Sequence, residues 1–405
     1  MKTVYVLATL DTKGIEAAFV RDQLAALKVP AKIVDTGCIG TPAVQGDIAR
    51  EEVFRLAGTS LFAMREKNDR GEAVKAAARG VTALISDLHA RGEVAGVLGL
   101  GGSAGTIIGT SAMRALPIGI PKLMVSTLAS GTVRQFVGDK DILMLNSIVD
   151  ILGLNRISRP ILTNAARAMA GMVSPPARPS EEADKPLVAI TMFGVTTKCV
   201  MRAKEQIEKA GYETLIFHAT GSGGQAMETL ISEGLIAGVL DLTTTELADE
   251  LCGGFLTAGP ERLTAAGKAG VPQVVSVGAL DMVNFHGPET VPAACKGRKF
   301  YQHNPVVTLM RTTPGENARI GADLGRKVAA AKGPKSILLP KRGLSAIDAA
   351  GQPFDDPEAR QALYAAIREN AKGVEIVELD HHINDPEFAD AAVRKLFDLM
   401  NAGKR

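Results

Sequence analysis

Short apolar, β-rich runs alternate with helical patterns along almost the whole chain, and this alternation constrains the fold more than any other feature. A strand, a helix and a second strand form a βαβ unit, whose strands lie parallel with helices on the sheet faces. The first half has such strands at Val4–Ala8, Ala31–Asp35, Val94–Leu100 and Lys122–Ser126. Helical spacing runs through Ile15–Leu27, and Leu84–Arg91 reads as the end of another helix. The second half has strands at Leu187–Met192, Glu213–Phe217, Ile236–Leu240, Gln273–Val277, Val306–Met310, Ser336–Leu339 and Val374–Leu379. Helices are expected near Glu316–Ala331, Asp356–Ala371 and Glu387–Met400. The predicted class is α/β, with two Rossmann-like domains of mostly parallel sheet.

The halves resemble each other as a degenerate internal repeat. TVYVLATLDTKG (Thr3–Gly14) aligns with VAITMFGVTTKC (Val188–Cys199), and EVAGVLGL (Glu93–Leu100) with LIAGVLDL (Leu235–Leu242). IGIPKLMVST (Ile118–Thr127) parallels KAGVPQVVSVG (Lys268–Gly278). Between the halves, Gly171–Pro186 is rich in Pro, Ser and charge, which is linker composition. The expected domains are 1–175 and 187–405, joined by a linker at 176–186. A chain of 405 residues supports this division, because single cores rarely grow so large.

Charge and composition exclude several classes. The formal net charge of +2 is spread along the chain, which gives no electrostatic case for nucleic acid. The longest uncharged stretch, Val94–Met113, is broken by glycines and hydroxyls and does not read as a membrane helix. Cys38, Cys199, Cys252 and Cys295 form no CxxC pair, and the N-terminus enters a strand at once, so a reducing, cytoplasmic location is expected. No HExxH spacing or other metal motif is present.

Parallel sheets place ligands at the carboxyl ends of their strands. In the first half those ends are Thr9–Gly14, Asp35–Gly40, Gly99–Thr106 and Ser126–Gly131, all small or polar. GLGGSAGT (Gly99–Thr106) lets several backbone N–H groups approach one anion at a helix N-terminus, with Ser103 and Thr106 supplying hydroxyls. Tight turning and close helix–sheet packing explain the same glycines equally simply. Asp11 or Thr12 suits a helix cap, whereas Lys13 in a first turn opposes the helix dipole and is either solvated or aimed at an anion. Lys198 is its expected repeat mate. Ser130 and Gly131 offer a further small-residue turn. The second-half counterpart, DLTTTELADE (Asp241–Glu250), is acidic and would suit a metal or sugar hydroxyl, although helix capping accounts for much of it. Asp281, His286 and His303 lie beyond expected strand ends and would serve as general bases or ligands.

These strings, with FHATGSGGQAMETL (Phe217–Leu230), VVSVGALDMVNF (Val274–Phe285), FYQHNPVVTLMRTT (Phe300–Thr313) and ELDHHINDPEFA (Glu378–Ala389), carry a resemblance over nearly the whole chain. The chain resembles an uncharacterised protein family represented by the ATP-binding N-terminal part of the tomato mosaic virus resistance protein. The resemblance implies two Rossmann-like subdomains, ATP binding with Mg²⁺ in the first half, a homodimer, and a partner similar to TIM-barrel phosphoenolpyruvate hydrolases. Carried onto this sequence, it implies a nucleotide site of Thr9, Asp11, Thr12, Lys13, Gly101, Gly102, Ser103, Gly105 and Thr106, with Ser126, Thr127, Ser130 and Gly131 nearby. Ala104 stands where the family commonly has glycine. A second ligand is expected in the cleft between domains, facing Asp241, Thr243, Thr244, Thr245, Glu246, Asp281, His286 and His303. The alternatives are an ATP-dependent ligase or kinase-like enzyme acting on a small carboxylate or sugar acid, or a regulatory subunit for the TIM-barrel partner.

Overall fold

The computed structural model describes residues 2–175, 185–304 and 306–402, except the His303 side chain. The chain divides into two compact units, Met1–Ser180 and Glu181–Arg405. Most of the linker expected at 176–186 lies outside the described residues.

The N-terminal unit carries strands β1 (Thr3–Ala8), β2 (Ala31–Asp35), β3 (Val94–Gly101), β4 (Lys122–Ser126) and β5 (Leu143–Asn146). They form one parallel sheet in the order β2-β1-β3-β4-β5. The period-2 alternation of β1 divides its side chains between two cores. Tyr5 and Leu7 join Val53, Phe54 and Ile85 on one face, while Val4, Val6 and Ala8 join Val20, Leu24 and Leu162 on the other.

The C-terminal unit carries β6 (Leu187–Met192), β7 (Glu213–His218), β8 (Ile236–Thr243), β9 (Gln273–Gly278), β10 (Met282–Phe285), β11 (Phe300–Asn304), β12 (Val307–Arg311), β13 (Lys335–Pro340) and β14 (Glu375–Leu379). Six of these form a parallel sheet, β14-β13-β9-β8-β6-β7. The order β7-β6-β8-β9 repeats β2-β1-β3-β4, so both halves are Rossmann-like with the same initial winding. β10, β12 and β11 make a separate antiparallel sheet. The stretches around Asp281 and His303, read as loops from sequence, therefore border or enter strands.

Strand registers refine the repeat. In both units the pairing of first and third strands slips after one residue. Thr3 faces Val94 and Val4 faces Gly96, while Leu187 faces Ile236 and Val188 faces Gly238. Thr3 thus corresponds to Leu187, one residue earlier than the string alignment gives. Counted from there without a gap, Lys13 corresponds to Thr197, and its expected pairing with Lys198 does not hold. The two slips have the same packing partner. A Cβ on Gly96 would lie 2.9 Å from Met169 Sδ, and one on Gly238 would lie 2.8 Å from Met400 Sδ. Both methionines belong to the last described helix of their unit, Ser158–Val173 and Pro386–Ala402.

The helix expected from Ile15 begins at Leu10, with Thr9 at its N-cap and a local kink at Lys13 (φ −129°, ψ 18°). Neither Asp11 nor Thr12 caps it. Among the described residues no helix is long and apolar enough to cross a membrane.

Candidate functional site

In the N-terminal unit β1 and β3 are neighbours, and the chain leaves β1 toward β2 and β3 toward β4, in opposite directions across the sheet. This is the topological switch point at which open α/β sheets leave a crevice. A cavity of about 320 Å³ lies there. Thr9, Asp11 and Thr12 line it from the end of β1, Cys38, Ile39 and Gly40 from the end of β2, and Ala104 and Ile108 from the helix after β3. Arg70 and Val74 close the remaining side from the helix Arg70–Ala90. The sequence singled out three of these four walls. It missed Arg70, because a lone arginine at a helix start, between Asp69 and Gly71, carries no signal of what it faces.

The glycine-rich turn separates into two roles. A Cβ on Gly101 would lie 2.6 Å from Gly105 Cα, and one on Gly105 would lie 2.9 Å from the Leu100 carbonyl oxygen. These two glycines let the helix Ser103–Arg114 approach β3 closely and are consumed by packing. Gly102 differs, because a Cβ there meets only Thr127 Oγ1, at 3.6 Å. Ser103, the next residue, is exposed. Gly101→Ala is therefore expected to destabilise by about 1–3 kcal/mol through overpacking. Gly102→Ala should stay within about 0.5 kcal/mol, as surface changes do. Equal Tm shifts for the two variants would remove this distinction.

Thr106 and Ser126 are fully buried, and their hydroxyls lie 2.6 Å apart. Thr106 Oγ1 also donates to the Gly102 carbonyl at 2.7 Å, and Ser126 Oγ accepts from the Leu128 N–H. Thr106, expected to hold a phosphate, and Ser126, expected nearby, tie the first turn of the Ser103–Arg114 helix to the end of β4. The Thr127 N–H adds a bond to the Gly101 carbonyl at 3.3 Å. Ser130 and Gly131 are exposed. Thr9 and Thr12 share a hydroxyl–hydroxyl bond of 2.8 Å at the cavity wall.

Asp11 is engaged in holding the wall. Its Oδ2 accepts the N–H groups of Ile39 and Gly40, each at 3.0 Å. Asp35 does the same one layer below, accepting from Leu10 and Gly37, and burial raises its pKa against those bonds. Buried Arg50 lies 3.9 Å from Asp11 and 3.7 Å from Asp35. Burial, reinforced by Asp11 and Asp35, pushes the Cys38 thiol up to about 11, so it is not a thiolate nucleophile at neutral pH. Lys13 is mostly covered, with Nζ 3.7 Å from Asp150.

The corresponding region of the C-terminal unit is filled from within. Arg262 is fully buried and donates to both oxygens of Asp241 at 2.6 and 2.7 Å, and to Glu246 at 2.7 Å. Glu246 also accepts from the N–H groups of Gly221 and Gly224, at the start of the helix after β7. Burial raises its pKa despite Arg262. Asp241 and Glu246, expected to face a second ligand, face this guanidinium. The threonines are internal too. Thr243 Oγ1 lies 2.8 Å from Thr196 Oγ1, Thr244 donates to the Ser276 carbonyl, and Thr245 is fully buried. Asp281 is buried and accepts from Ser345 Oγ at 2.8 Å. His286 is exposed and packs on the Phe255 ring with centroids 3.7 Å apart. The His303 side chain lies outside the described residues. No spacing rule could have singled out Arg262, which lies in a loop between short elements.

Residues 2–178 match the N-terminal domain of the uncharacterised protein family UPF0261, and residues 185–400 match its C-terminal domain. The chain belongs to UPF0261. A UPF0261 protein of Clostridium tetani is 49% identical over 401 residues, covering 98% of this chain and 99% of the relative. The ToMV susceptible protein tm-1(GCR26) of Solanum lycopersicum is 39% identical over 418 residues, covering 98% of this chain. That match takes in 55% of the tomato protein, so the UPF0261 part is about half of it. Among solved structures, a UDP-N-acetylglucosamine 2-epimerase from Rickettsia bellii aligns over 99% of this chain and 96% of its own, with 9% identity and a TM-score of 0.23. Likeness of that size carries no function across.

Proposed function

We propose that the N-terminal unit of this UPF0261 protein binds ATP in the cavity at its sheet's switch point. The observation that carries the reading is that Ala104, in the first turn of the Ser103–Arg114 helix, lines the cavity two residues after Gly102, a turn position with open space. Backbone N–H groups and the positive helix end there favour a phosphate. Ile39, Val74 and Ile108 give the cavity apolar walls suited to a base, while the Thr9 and Thr12 hydroxyls suit a ribose or phosphate. The resemblance to an ATP-binding part of the tomato resistance protein supplies the identity of the nucleotide. The described residues hold no group of three or more His, Cys, Asp or Glu placed to bind a metal. Mg²⁺ would accordingly enter on the phosphates with water completing its shell.

Calorimetric titration of MgATP into the full chain should give saturable heat. Gly102→Asp places a carboxylate where the phosphate is expected, and should abolish that heat while leaving Tm near wild type. Wild-type protein that gives no heat, or a folded Gly102→Asp variant that binds normally, would overturn the reading. Release of ADP or AMP in the presence of small carboxylates or sugar acids would add ligase- or kinase-like turnover to binding. Co-purification of a TIM-barrel protein would favour the regulatory role.

A further inference from the structure

We propose that a second chamber in the N-terminal unit binds a small organic molecule bearing an oxyanion, carboxylate or phosphate, through Arg65 and Arg70. This chamber measures about 230 Å³ and is contiguous with the nucleotide cavity, because Cys38, Ile39 and Arg70 line both. The proposal rests on the nucleotide reading only in that shared wall, and it moves the expected second ligand from the C-terminal loops to this unit.

Four observations support it. Arg70 opens the 21-residue helix Arg70–Ala90, where a cation opposes the helix dipole, and among the described residues its guanidinium has no hydrogen bond or ion pair. Its field reaches Cys38, between the two spaces. Arg65 spends one donor on the Gly40 carbonyl at 3.1 Å, leaving four of the five a guanidinium carries. The acid among the lining residues, Asp69, turns its Oδ1 to the Glu72 N–H as helix cap, which reduces its opposition to an anion. Asn68 adds a neutral amide to the lining, and buried Met64 and Ala73 give it an apolar part beside the two arginines. That combination fits an acid with a short carbon skeleton better than a bare ion.

The test titrates malonate and inorganic phosphate, separately and without ATP, into the full-length wild type and into Arg65→Gln, Arg70→Gln and Gly102→Asp. Malonate is expected to saturate the wild type and Gly102→Asp alike, and to bind Arg65→Gln and Arg70→Gln at least about tenfold more weakly, the loss of one charged contact. Stronger binding of phosphate than malonate, with the same arginine dependence, would assign the site to phosphate compounds. Absence of wild-type binding, or binding untouched by both arginine changes, an adventitious ion only, would overturn the proposal. Wild type that takes malonate but no ATP would leave this chamber standing and remove the nucleotide reading. Both arginines are exposed, so Tm should confirm folding in each variant.

Discussion

Replacing Arg262 with methionine is expected to destabilise the C-terminal unit strongly at neutral pH while the N-terminal unit keeps its stability. The guanidinium joins Asp241, Glu246 and, at 3.3 Å, Glu228. Without it, Asp241 retains the Thr191 hydroxyl, Glu246 the Gly221 and Gly224 N–H groups, and Glu228 those of Leu263, Thr264 and Ala265. Among the described residues no other cation is paired with Asp241 or Glu246. Breaking a buried ion pair by removing one partner costs about 3–5 kcal/mol. That is a large share of the roughly 5–15 kcal/mol that holds an ordinary domain together. Hydrogen exchange read by mass spectrometry should show β8 and β9 exchanging much faster than in the wild type, with β1 and β3 unchanged. Lowering the pH should partly restore the variant as the stranded carboxyls take up protons. A wild-type Tm for this variant would show that the carboxylates have other partners.

The second large effect is a dependence on pH set at Asp249. Burial pushes this carboxyl up to about 7 although Asn284 donates both its backbone N–H and its side-chain N–H to it, each at 2.7 Å. Between an ordinary value of 3.8 and about 7, the folded state holds a proton that the unfolded chain releases. Its contribution therefore favours folding at low pH and is lost as pH rises through 7. The displacement corresponds to roughly 4 kcal/mol between those limits. Asp281, raised by burial and by its neighbour Asp348, acts with the same sign. His218, lowered by burial, acts with the opposite sign, so the informative comparison is wild type against Asp249→Asn. Asparagine mimics the protonated acid, and Asn284 Oδ1, buried and without a partner, can receive its amide once the Asn284 side chain turns over. The expected outcome is an Asp249→Asn protein more stable than wild type at pH 8, with the difference shrinking toward pH 5. A variant less stable at pH 8 would contradict the assignment.

The strand–helix alternation made both sheets legible, because every central strand is an apolar run bounded by turns. β2, β4 and β6 occupy the spans their sequences indicate. β5 was not legible, since Leu143–Asn146 is four residues at a sheet edge and none is fully covered. β10 and β11 were hidden for another reason. Their pairing with β12 is antiparallel and fixed by distant contacts, which local pattern does not carry. At the site, sequence located the ends of the strands but not which groups were already spoken for. Thr106 and Gly102 sit four residues apart in one turn, yet one is sealed against Ser126 and the other open. Only packing separates them. The acidic run at Asp241 looked ligand-facing because its counter-charge, Arg262, lies 21 residues away in an unpatterned loop.

The matched register slips at Gly96 and Gly238 bear on how the two halves could diverge. Each sheet is closed over its slip by a methionine from the last described helix of its own half, and each core cluster draws its residues from one half. A substitution in one half is thus buffered within that half's own packing. One half has a crevice at its sheet's switch point, while an internal guanidinium fills the corresponding region of the other. The architecture tolerates such asymmetry because each of these core clusters is built from residues of a single half.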